Sequence, residues 1–214
     1  MVGLKFCGLT RAEDARFAES LGATHVGVIL ASGPRLLTAA RAAEVLADVG
    51  PGVRRVGVFG LQTPAEIADL MAEARLDIAQ LHADPSVAQI AAVRAAGVRE
   101  VWAVVRVAGA QVPAEAAELA AVSDALVLDA KVSGRLGGSG VALPWADVAL
   151  ALEPWRGDRP IVLAGGLVPS TVSQAIRTLH PAIVDVSSGV ESAPGIKHHA
   201  LMRAFADDAR ASAA

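Results

Sequence analysis

Short apolar runs alternate along the chain with longer segments in which apolar residues recur at helical spacing. The runs are rich in Val, Ile and Leu, which is typical of buried parallel strands. The longer segments are alanine-rich and amphipathic, which predicts helices. The predicted strands are Val2–Cys7, His25–Leu30, Arg54–Phe59, Ile78–His82, Val98–Val105, Ala125–Ala130, Pro160–Ala164 and Ala182–Ser187. The predicted helices are Arg11–Leu21, Thr38–Val49, Thr63–Ala74, Pro85–Ala96, Pro113–Val122, Pro144–Leu152, Thr171–Leu179 and a last one from about Ile196 to Ala211.

This alternation indicates the fold class, because the strands recur at close to the ~30 residues of a βαβ unit. Eight such units predict an α/β protein with a single (β/α)8 TIM barrel over residues 1–214. A doubly wound sheet would need fewer strands and usually a glycine-rich turn after the first, which Cys7-Gly8-Leu9-Thr10 is not. Thr10 with Glu13, and Asp84 before Pro85, predict helix starts. We expect the tail after about residue 208 to fray.

The amino-acid composition restricts the classes of molecule that the protein is expected to bind. The chain is 53% hydrophobic but only 3% aromatic, with no tyrosine and a net charge of -3. Nucleic-acid binding is therefore not expected. One cysteine cannot form an internal disulfide, which suits a reducing compartment. With no apparent signal peptide or long uncharged apolar segment, we expect no membrane partner and a cytoplasmic location.

The carboxyl ends of the strands would form the active-site mouth of such a barrel. Cys7 ends the first strand, and alternation places Lys5 on the same face. A lone cysteine is commonly an inert buried thiol. Asp129, at the end of an apolar strand, has to be exposed, paired or functional. Strands six and one lie three apart in an eight-strand ring, so Asp129 is predicted to face Cys7.

Four further polar residues each have two interpretations. Lys5 and Asp185 point into the barrel from neighbouring strands, and they either neutralise each other or contact a ligand. Arg35 follows a Gly-Pro turn and is either an ordinary surface residue or, if aimed inward, a fork for a carboxylate. His82 is either a satisfied core histidine or a ligand contact.

Glycine-rich loops follow the seventh and eighth strands. Glycine allows backbone N–H groups to approach an anion closely, and barrels commonly hold phosphate in these two loops. The pattern therefore predicts phosphate binding around Gly165, Gly166, Ser188 and Gly189. A third glycine-rich stretch, residues 137–140, is either another contact or a flexible loop.

These motifs occur in the order found in the phosphoribosylanthranilate isomerase family, which the chain resembles along nearly its whole length. The most specific are Lys5-Phe6-Cys7-Gly8-Leu9-Thr10 and Asp185-Val186-Ser187-Ser188-Gly189-Val190-Glu191. Between them lie Gly33-Pro34-Arg35, Gln80-Leu81-His82, Leu128-Asp129-Ala130 and Leu163-Ala164-Gly165-Gly166-Leu167.

The resemblance implies a cofactor-independent and metal-independent Amadori rearrangement in tryptophan biosynthesis. Its substrate would be N-(5-phosphoribosyl)anthranilate, a small phosphosugar, and its product 1-(2-carboxyphenylamino)-1-deoxyribulose 5-phosphate. Asp129 would be the general acid and Cys7 the general base, with the pKa of Cys7 lowered by Lys5. The resemblance also implies substrate contacts by Arg35 to the anthranilate carboxylate, and by Asp185, Lys5 and His82. The protein would be a monomer or homodimer.

Other functions remain open at this point. Asp129-Ala130-Lys131 begins like the D-x-K-x-x-D motif of the orotidine-phosphate decarboxylase group, but Gly134 replaces the last aspartate; Lys131 could form a Schiff base. Indole-glycerol-phosphate synthase and the two-aspartate isomerase of histidine biosynthesis have similar chemistry, although the latter would need an aspartate at position 7. A non-catalytic phosphosugar-binding barrel is a further alternative. A thiol hydrolase would need a histidine beside Cys7, which the strand order does not supply.

Overall fold

The computed structural model describes residues 1–130, 144–153 and 159–212. Its parallel strands close into a barrel in chain order, and the last strand is hydrogen-bonded to the first. They are β1 (Gly3–Phe6), β2 (His25–Ile29), β3 (Arg54–Phe59), β4 (Ile78–Leu81), β5 (Val101–Val107), β6 (Ala125–Ala130), β7 (Ile161–Leu163) and β8 (Ile183–Val186). The predicted (β/α)8 barrel is confirmed.

Helices follow the strands in alternation. They are α1 (Ala12–Ser20), α2 (Ala39–Val45), α3 (Pro64–Glu73), α4 (Val87–Ala95), α5 (Ala116–Val122), α6 (Trp145–Leu152), α7 (Pro169–Leu179) and α8 (His199–Ala211). The fifth begins later than predicted, because residues 113–116 form a turn in which the Ala116 backbone N–H donates to the carbonyl of Pro113 at 3.0 Å. Helical geometry in α8 continues past Asp208, where the sequence predicted fraying. None of the described helices is long and apolar enough to span a bilayer.

Two of the predicted helix starts are wrong. The N-cap of α1 is Arg11, without a side-chain hydrogen bond, because the Thr10 hydroxyl donates instead to the carbonyl of Gly195. The cap of α4 is Ser86, whose hydroxyl accepts from the Gln89 backbone N–H at 3.1 Å. A capping residue is selected by where its side chain finds a partner, and Thr10 finds a distant one.

Apolar side chains form two separate layers, as strand alternation requires. One cluster fills the barrel interior and includes Val56, Ile78, Trp102, Val127 and Val162. The larger cluster lies between the strands and the helices, where Phe6 of β1 packs against Phe205 of α8 with ring centroids 6.1 Å apart. The barrel is therefore a packed core, and space for a ligand remains only at its ends.

The chain after β8 forms a small hairpin that the sequence did not predict. A short 3-10 helix (Ser188–Val190) leads into β9 (Glu191–Ala193) and antiparallel β10 (Ile196–Lys197). Gly195 adopts φ 80° at the turn, a conformation that favours glycine. Lys197 therefore lies opposite Glu191 in a strand, and not in the predicted last helix.

Candidate active site

A cavity of about 260 Å³ opens at the carboxyl ends of the strands. It is lined by every site residue predicted from the sequence except Lys5. The β7 and β8 loops lie between β6, which carries Asp129, and β1, which leads to Cys7, in the order of strands around the barrel. The structure thus brings the predicted acid, the predicted base and the predicted phosphate loops to one cavity.

Cys7 is held as a continuation of β1. Its backbone N–H donates to the carbonyl of Val186 at 2.9 Å, which extends the pairing of β1 with β8. A Cβ on Gly27 of the neighbouring β2 would lie 3.0 Å from Cys7 Sγ. The thiol is therefore accommodated because glycine occupies that position on β2.

The pKa of Cys7 lies above its ordinary value. Burial raises the pKa of the thiol, and the opposing positive charges of Lys5 and Lys197 do not compensate for it. Asp185 adds to the increase. The expected net lowering of this pKa is not found: Lys5 does lower it, but desolvation outweighs that effect and Asp185 neutralises the Lys5 charge.

Lys5 and Asp185 form a buried ion pair. Lys5 Nζ donates to Asp185 Oδ2 at 2.6 Å, and the lysine side chain is fully buried. Burial lowers the pKa of Lys5, but the charges of Asp185 and Cys7 outweigh it and raise the pKa, so Lys5 stays protonated. The expected direct contact between Lys5 and a ligand is not supported, because Lys5 does not line the cavity.

Asp185, in contrast, does reach the cavity. Its second carboxylate oxygen, Oδ1, is buried and has no hydrogen-bond partner among the described residues. A buried carboxylate oxygen without a partner is costly, and such atoms in native structures call for an explanation. The arrangement leaves one oxygen of the ion pair able to accept a hydrogen bond from a ligand in the cavity.

Asp129 and His82 approach each other on the opposite side of the cavity. Asp129 Oδ2 lies 4.0 Å from His82 Nε2. Burial, followed by the charges of Arg106 and Lys5, lowers the pKa of His82 to about 4, so the imidazole is neutral near pH 7. Its Nδ1 is buried and has no hydrogen-bond partner in the described part of the chain. His82 is therefore not the satisfied core histidine that one interpretation of the sequence proposed.

Arg35 lines the cavity, as expected if the Gly-Pro turn aims it inward. Two of its guanidinium nitrogens, however, already donate hydrogen bonds to another residue. Arg35 Nε and Nη2 donate to Glu191 Oε1 and Oε2 at 2.8 and 2.6 Å. The sequence did not identify Glu191 as a site residue. Its position in the loop after β8 was visible, but the sequence gives no sign that it pairs with an arginine 156 residues away.

The two predicted phosphate loops pack backbone against backbone. Gly165 and Gly166 both have positive φ, 81° and 70°. A Cβ on Gly189 would lie 1.9 Å from the carbonyl oxygen of Leu167, so only glycine allows this approach. The Ser187 hydroxyl beside them is buried and has no hydrogen-bond partner within the described residues.

Sequence reasoning also missed Gln80, whose buried Oε1 lines the cavity and has no partner among the described residues. Its inward position followed from alternation on β4, and that signal could have identified it. Side chains of the described residues do not form a cluster suited to a metal ion. Lys131, Gly134 and the glycine-rich stretch 137–140 lie outside the described residues.

Comparisons with known proteins agree on one family. Residues 4–208 match a family model described as N-(5'-phosphoribosyl)anthranilate (PRA) isomerase. A protein of that name from Acidithiobacillus ferrooxidans is 39% identical, with 96% of each chain covered. Another from Magnetococcus marinus is 41% identical, over 95% of this chain and 93% of the relative.

Solved structures agree with the sequence relatives. The phosphoribosyl anthranilate isomerase of Thermus thermophilus superposes with a TM-score of 0.85 at 36% identity, over 98% of this chain and 99% of that one. The Thermotoga maritima isomerase superposes with a TM-score of 0.87 at 31% identity, over 99% of this chain and 100% of that one. A 3-hexulose-6-phosphate synthase from Salmonella typhimurium superposes with a TM-score of 0.73 over 99% of this chain and 100% of that one. At 16% identity, this similarity shows the fold alone.

Proposed function

Since the chain belongs to the N-(5'-phosphoribosyl)anthranilate isomerase family, we propose that Cys7 and Asp129 carry out the proton transfers of its reaction. The chain is an isomerase of tryptophan biosynthesis that converts N-(5'-phosphoribosyl)anthranilate to 1-(2-carboxyphenylamino)-1-deoxyribulose 5-phosphate. The reaction opens the furanose ring and moves a hydrogen from C2, so it needs one proton donor and one proton acceptor at the sugar.

The substrate is held at its two charged ends. The phosphate binds the loops around Gly165, Gly166, Ser188 and Gly189, whose backbones approach closely enough to present N–H groups to an anion. Arg35 pairs with the anthranilate carboxylate through the edge of its guanidinium that Glu191 leaves free. A structural relative solved in complex with reduced 1-(o-carboxyphenylamino)-1-deoxyribulose 5-phosphate, 30% identical with a TM-score of 0.84 and covering 99% of this chain and all of its own, supports this class of ligand.

Between these ends, unpartnered polar atoms meet the sugar. Asp185 Oδ1 accepts a hydrogen bond from a sugar hydroxyl, and Lys5 positions that carboxylate from behind without touching the substrate. Neutral His82 contributes its ring nitrogens to the substrate and the Asp129 side of the cavity.

Asp129 acts first, as the general acid. It gives its proton to the furanose ring oxygen, the C1–O bond breaks, and the nitrogen lone pair forms a protonated Schiff base at C1. Cys7, as thiolate, then removes the proton from C2 on the opposite side, which gives an enolamine that tautomerises to the ketone. In the tautomerisation C1 gains a proton and the 2-hydroxyl group loses one, so no electron acceptor is required. Proton exchange with water then returns Asp129 to the acid and Cys7 to the thiolate.

The observation that carries this proposal is that Cys7 and Asp129 line the same cavity from strands three apart, with the phosphate loops between them. A thiol hydrolase is not favoured, because the charged residues that shift the pKa of Cys7 are Lys5, Asp185 and Lys197, and none of them is a histidine.

The test is the loss of phosphoribosylanthranilate fluorescence catalysed by the wild type, Cys7→Ser and Asp129→Asn. Each variant should lose about 10²–10⁴-fold in kcat, the usual range for a general acid or base. Both variants should still bind the reduced product analogue, which separates loss of chemistry from loss of folding. Near-normal turnover in both variants would refute the assignment.

Two controls address the alternative functions. Wild-type protein without turnover but with normal analogue binding would indicate a non-catalytic phosphosugar-binding barrel. Borohydride trapping of a lysine adduct with a ketose phosphate would indicate Schiff-base chemistry by an enzyme lysine, which the isomerase reaction does not use.

We further propose that residues 1–214 form one domain that acts in the cytoplasm as a monomer or homodimer. A relative from Thermotoga maritima is a dimeric isomerase of which monomers have been made, which supports either state. Light scattering at several protein concentrations distinguishes the two.

A further inference from the structure

Glu191 lies beside the cavity residue Arg35, and both of its carboxylate oxygens are hydrogen-bonded. Its Oε1 accepts from Arg35 Nε at 2.8 Å, Lys197 Nζ at 2.8 Å and the Gly195 backbone N–H at 3.3 Å. Its Oε2 accepts from Arg35 Nη2 at 2.6 Å. Protein donors therefore occupy both carboxylate oxygens of Glu191, and Glu191 does not line the cavity. Only 5% of its side chain is exposed.

The stem of Arg35 is fixed as well. It crosses Gly8, where a Cβ would lie 2.6 Å from Arg35 Cδ, and Gly8 has a φ of 68° that favours glycine. Gly8 contacts the aliphatic part of the Arg35 side chain, and Glu191 binds one edge of its guanidinium. Both parts of the side chain are therefore held in place. A guanidinium presents two edges for paired hydrogen bonds, and Glu191 uses the Nε–Nη2 edge. The Nη1–Nη2 edge remains for a carboxylate in the cavity.

Lys197 connects this arrangement to the phosphate loop. Its Nζ donates to Glu191 and, at 3.1 Å, to the carbonyl of Ser187. Lys197 is almost fully buried, and it faces Glu191 across the β9–β10 hairpin. One hairpin therefore contacts both the residue that would hold the carboxylate end of the substrate and the loop that would hold its phosphate end.

We propose that Glu191 is a positioning residue that orients Arg35, so that the free edge of the guanidinium receives the substrate carboxylate at a fixed distance from the phosphate loop. This inference rests on the proposed role of Arg35 in binding that carboxylate. We do not expect the substrate carboxylate to displace Glu191 from Arg35, because that would break two hydrogen bonds of a buried carboxylate that Lys197 also holds in place. Glu191 acts on affinity for carboxylate-bearing ligands and does not touch the reacting atoms.

The test compares two probes on the intact protein. One is the reduced product analogue with its ring carboxylate, and the other is the same compound without that carboxylate. Glu191→Gln keeps the shape but removes the charge that holds Arg35, so it should weaken binding of the first probe about tenfold, which is within the range for coupled neighbouring residues. Binding of the second probe should change less than about twofold, and KM should rise with little change in kcat.

The control is Glu44→Gln, which removes a carboxylate from an exposed pair with Arg41. It should leave the affinity for both probes unchanged. Glu191→Asp keeps the charge but is shorter, so it should cause a smaller, equally selective loss, and it provides the test if the glutamine variant does not fold. In an Arg35→Met background, Glu191→Gln should have no further effect on the carboxylated probe.

The outcomes separate the two proposals. If Arg35→Met leaves affinity for the carboxylated probe unchanged, the proposed role of Arg35 is wrong. If Arg35→Met weakens it but Glu191→Gln does not, only the positioning role is wrong. An equal loss for both probes in Glu191→Gln would mean that Glu191 merely maintains the fold of the hairpin, which would also overturn the inference.

Discussion

Two buried ion-pair clusters flank Cys7, and they differ in how completely their carboxylates are bonded. Lys5 bonds one oxygen of Asp185 and leaves the other, which lies at the cavity, without a partner among the described residues. Glu191 has both oxygens bonded, to Arg35 and Lys197. A buried carboxylate oxygen that faces the cavity without a partner can accept from a ligand, whereas a carboxylate with both oxygens bonded to side-chain cations positions those neighbours. The comparison distinguishes Asp185, which can bind the substrate, from Glu191, which positions Arg35.

Removal of Lys5 should have the largest effect on stability. Lys5→Met removes the cation that pairs with the buried carboxylate of Asp185, which should reduce the free energy of unfolding by about 3–5 kcal/mol. Lys197→Met should cost less, because Glu191 keeps both hydrogen bonds from Arg35. Urea unfolding of the two variants measures the difference.

A double variant provides the control for this prediction. Lys5→Met combined with Asp185→Leu removes both charges and should recover much of the stability, since an apolar pair of similar volume replaces an ion pair at little cost. Equal losses in Lys5→Met and Lys197→Met would contradict the distinction between the two clusters.

As the pH is lowered, two histidines should be the first groups to reduce the stability of the protein. The ion pairs should contribute only at lower pH. The pKa values of His25 and His82 are lowered to about 4 by burial and nearby cations, from an unfolded value near 6.5. The unfolded chain therefore binds protons first, and stability should fall as the pH decreases from about 6.5 to 4, by at most about 3 kcal/mol for each histidine.

Glu191 contributes in a separate, lower window. Burial raises its pKa, but Arg35 and Lys197 outweigh this and hold the pKa below its usual value, so its contribution is lost only as the pH falls below about 4. Urea unfolding at a series of pH values checks both windows. His82→Asn should reduce the slope between pH 6.5 and 4; an unchanged slope would contradict a lowered pKa for His82.

The sequence was sufficient for the barrel and for residues placed by strand alternation. Cys7 and Asp129 could be assigned to the mouth, and Lys5 and Asp185 to the barrel interior, because each sits on or just after a strand with period-two alternation. The same rule would have identified Gln80. These positions depend only on local pattern and on closure of the ring.

Contacts that depend on distant partners could not be predicted. The hairpin around Gly195 uses the hydroxyl of Thr10, which local pattern assigned to a helix cap. The pairing of Glu191 with Arg35 joins loops far apart in the chain. The direction of the Cys7 pKa shift depends on burial and on neutralisation of Lys5 by Asp185, and neither is visible as a sequence motif.

The most direct test of the central claim, that Cys7 is the base, is a comparison of its titration with the pH dependence of kcat/KM. The chain contains one cysteine and no tyrosine, so thiolate absorbance near 240 nm reports on Cys7 without a tyrosinate background. We predict a thiol pKa above the ordinary cysteine value, and a kcat/KM that rises with pH through that same pKa. A kcat/KM that is insensitive to pH where the thiol titrates would contradict the account.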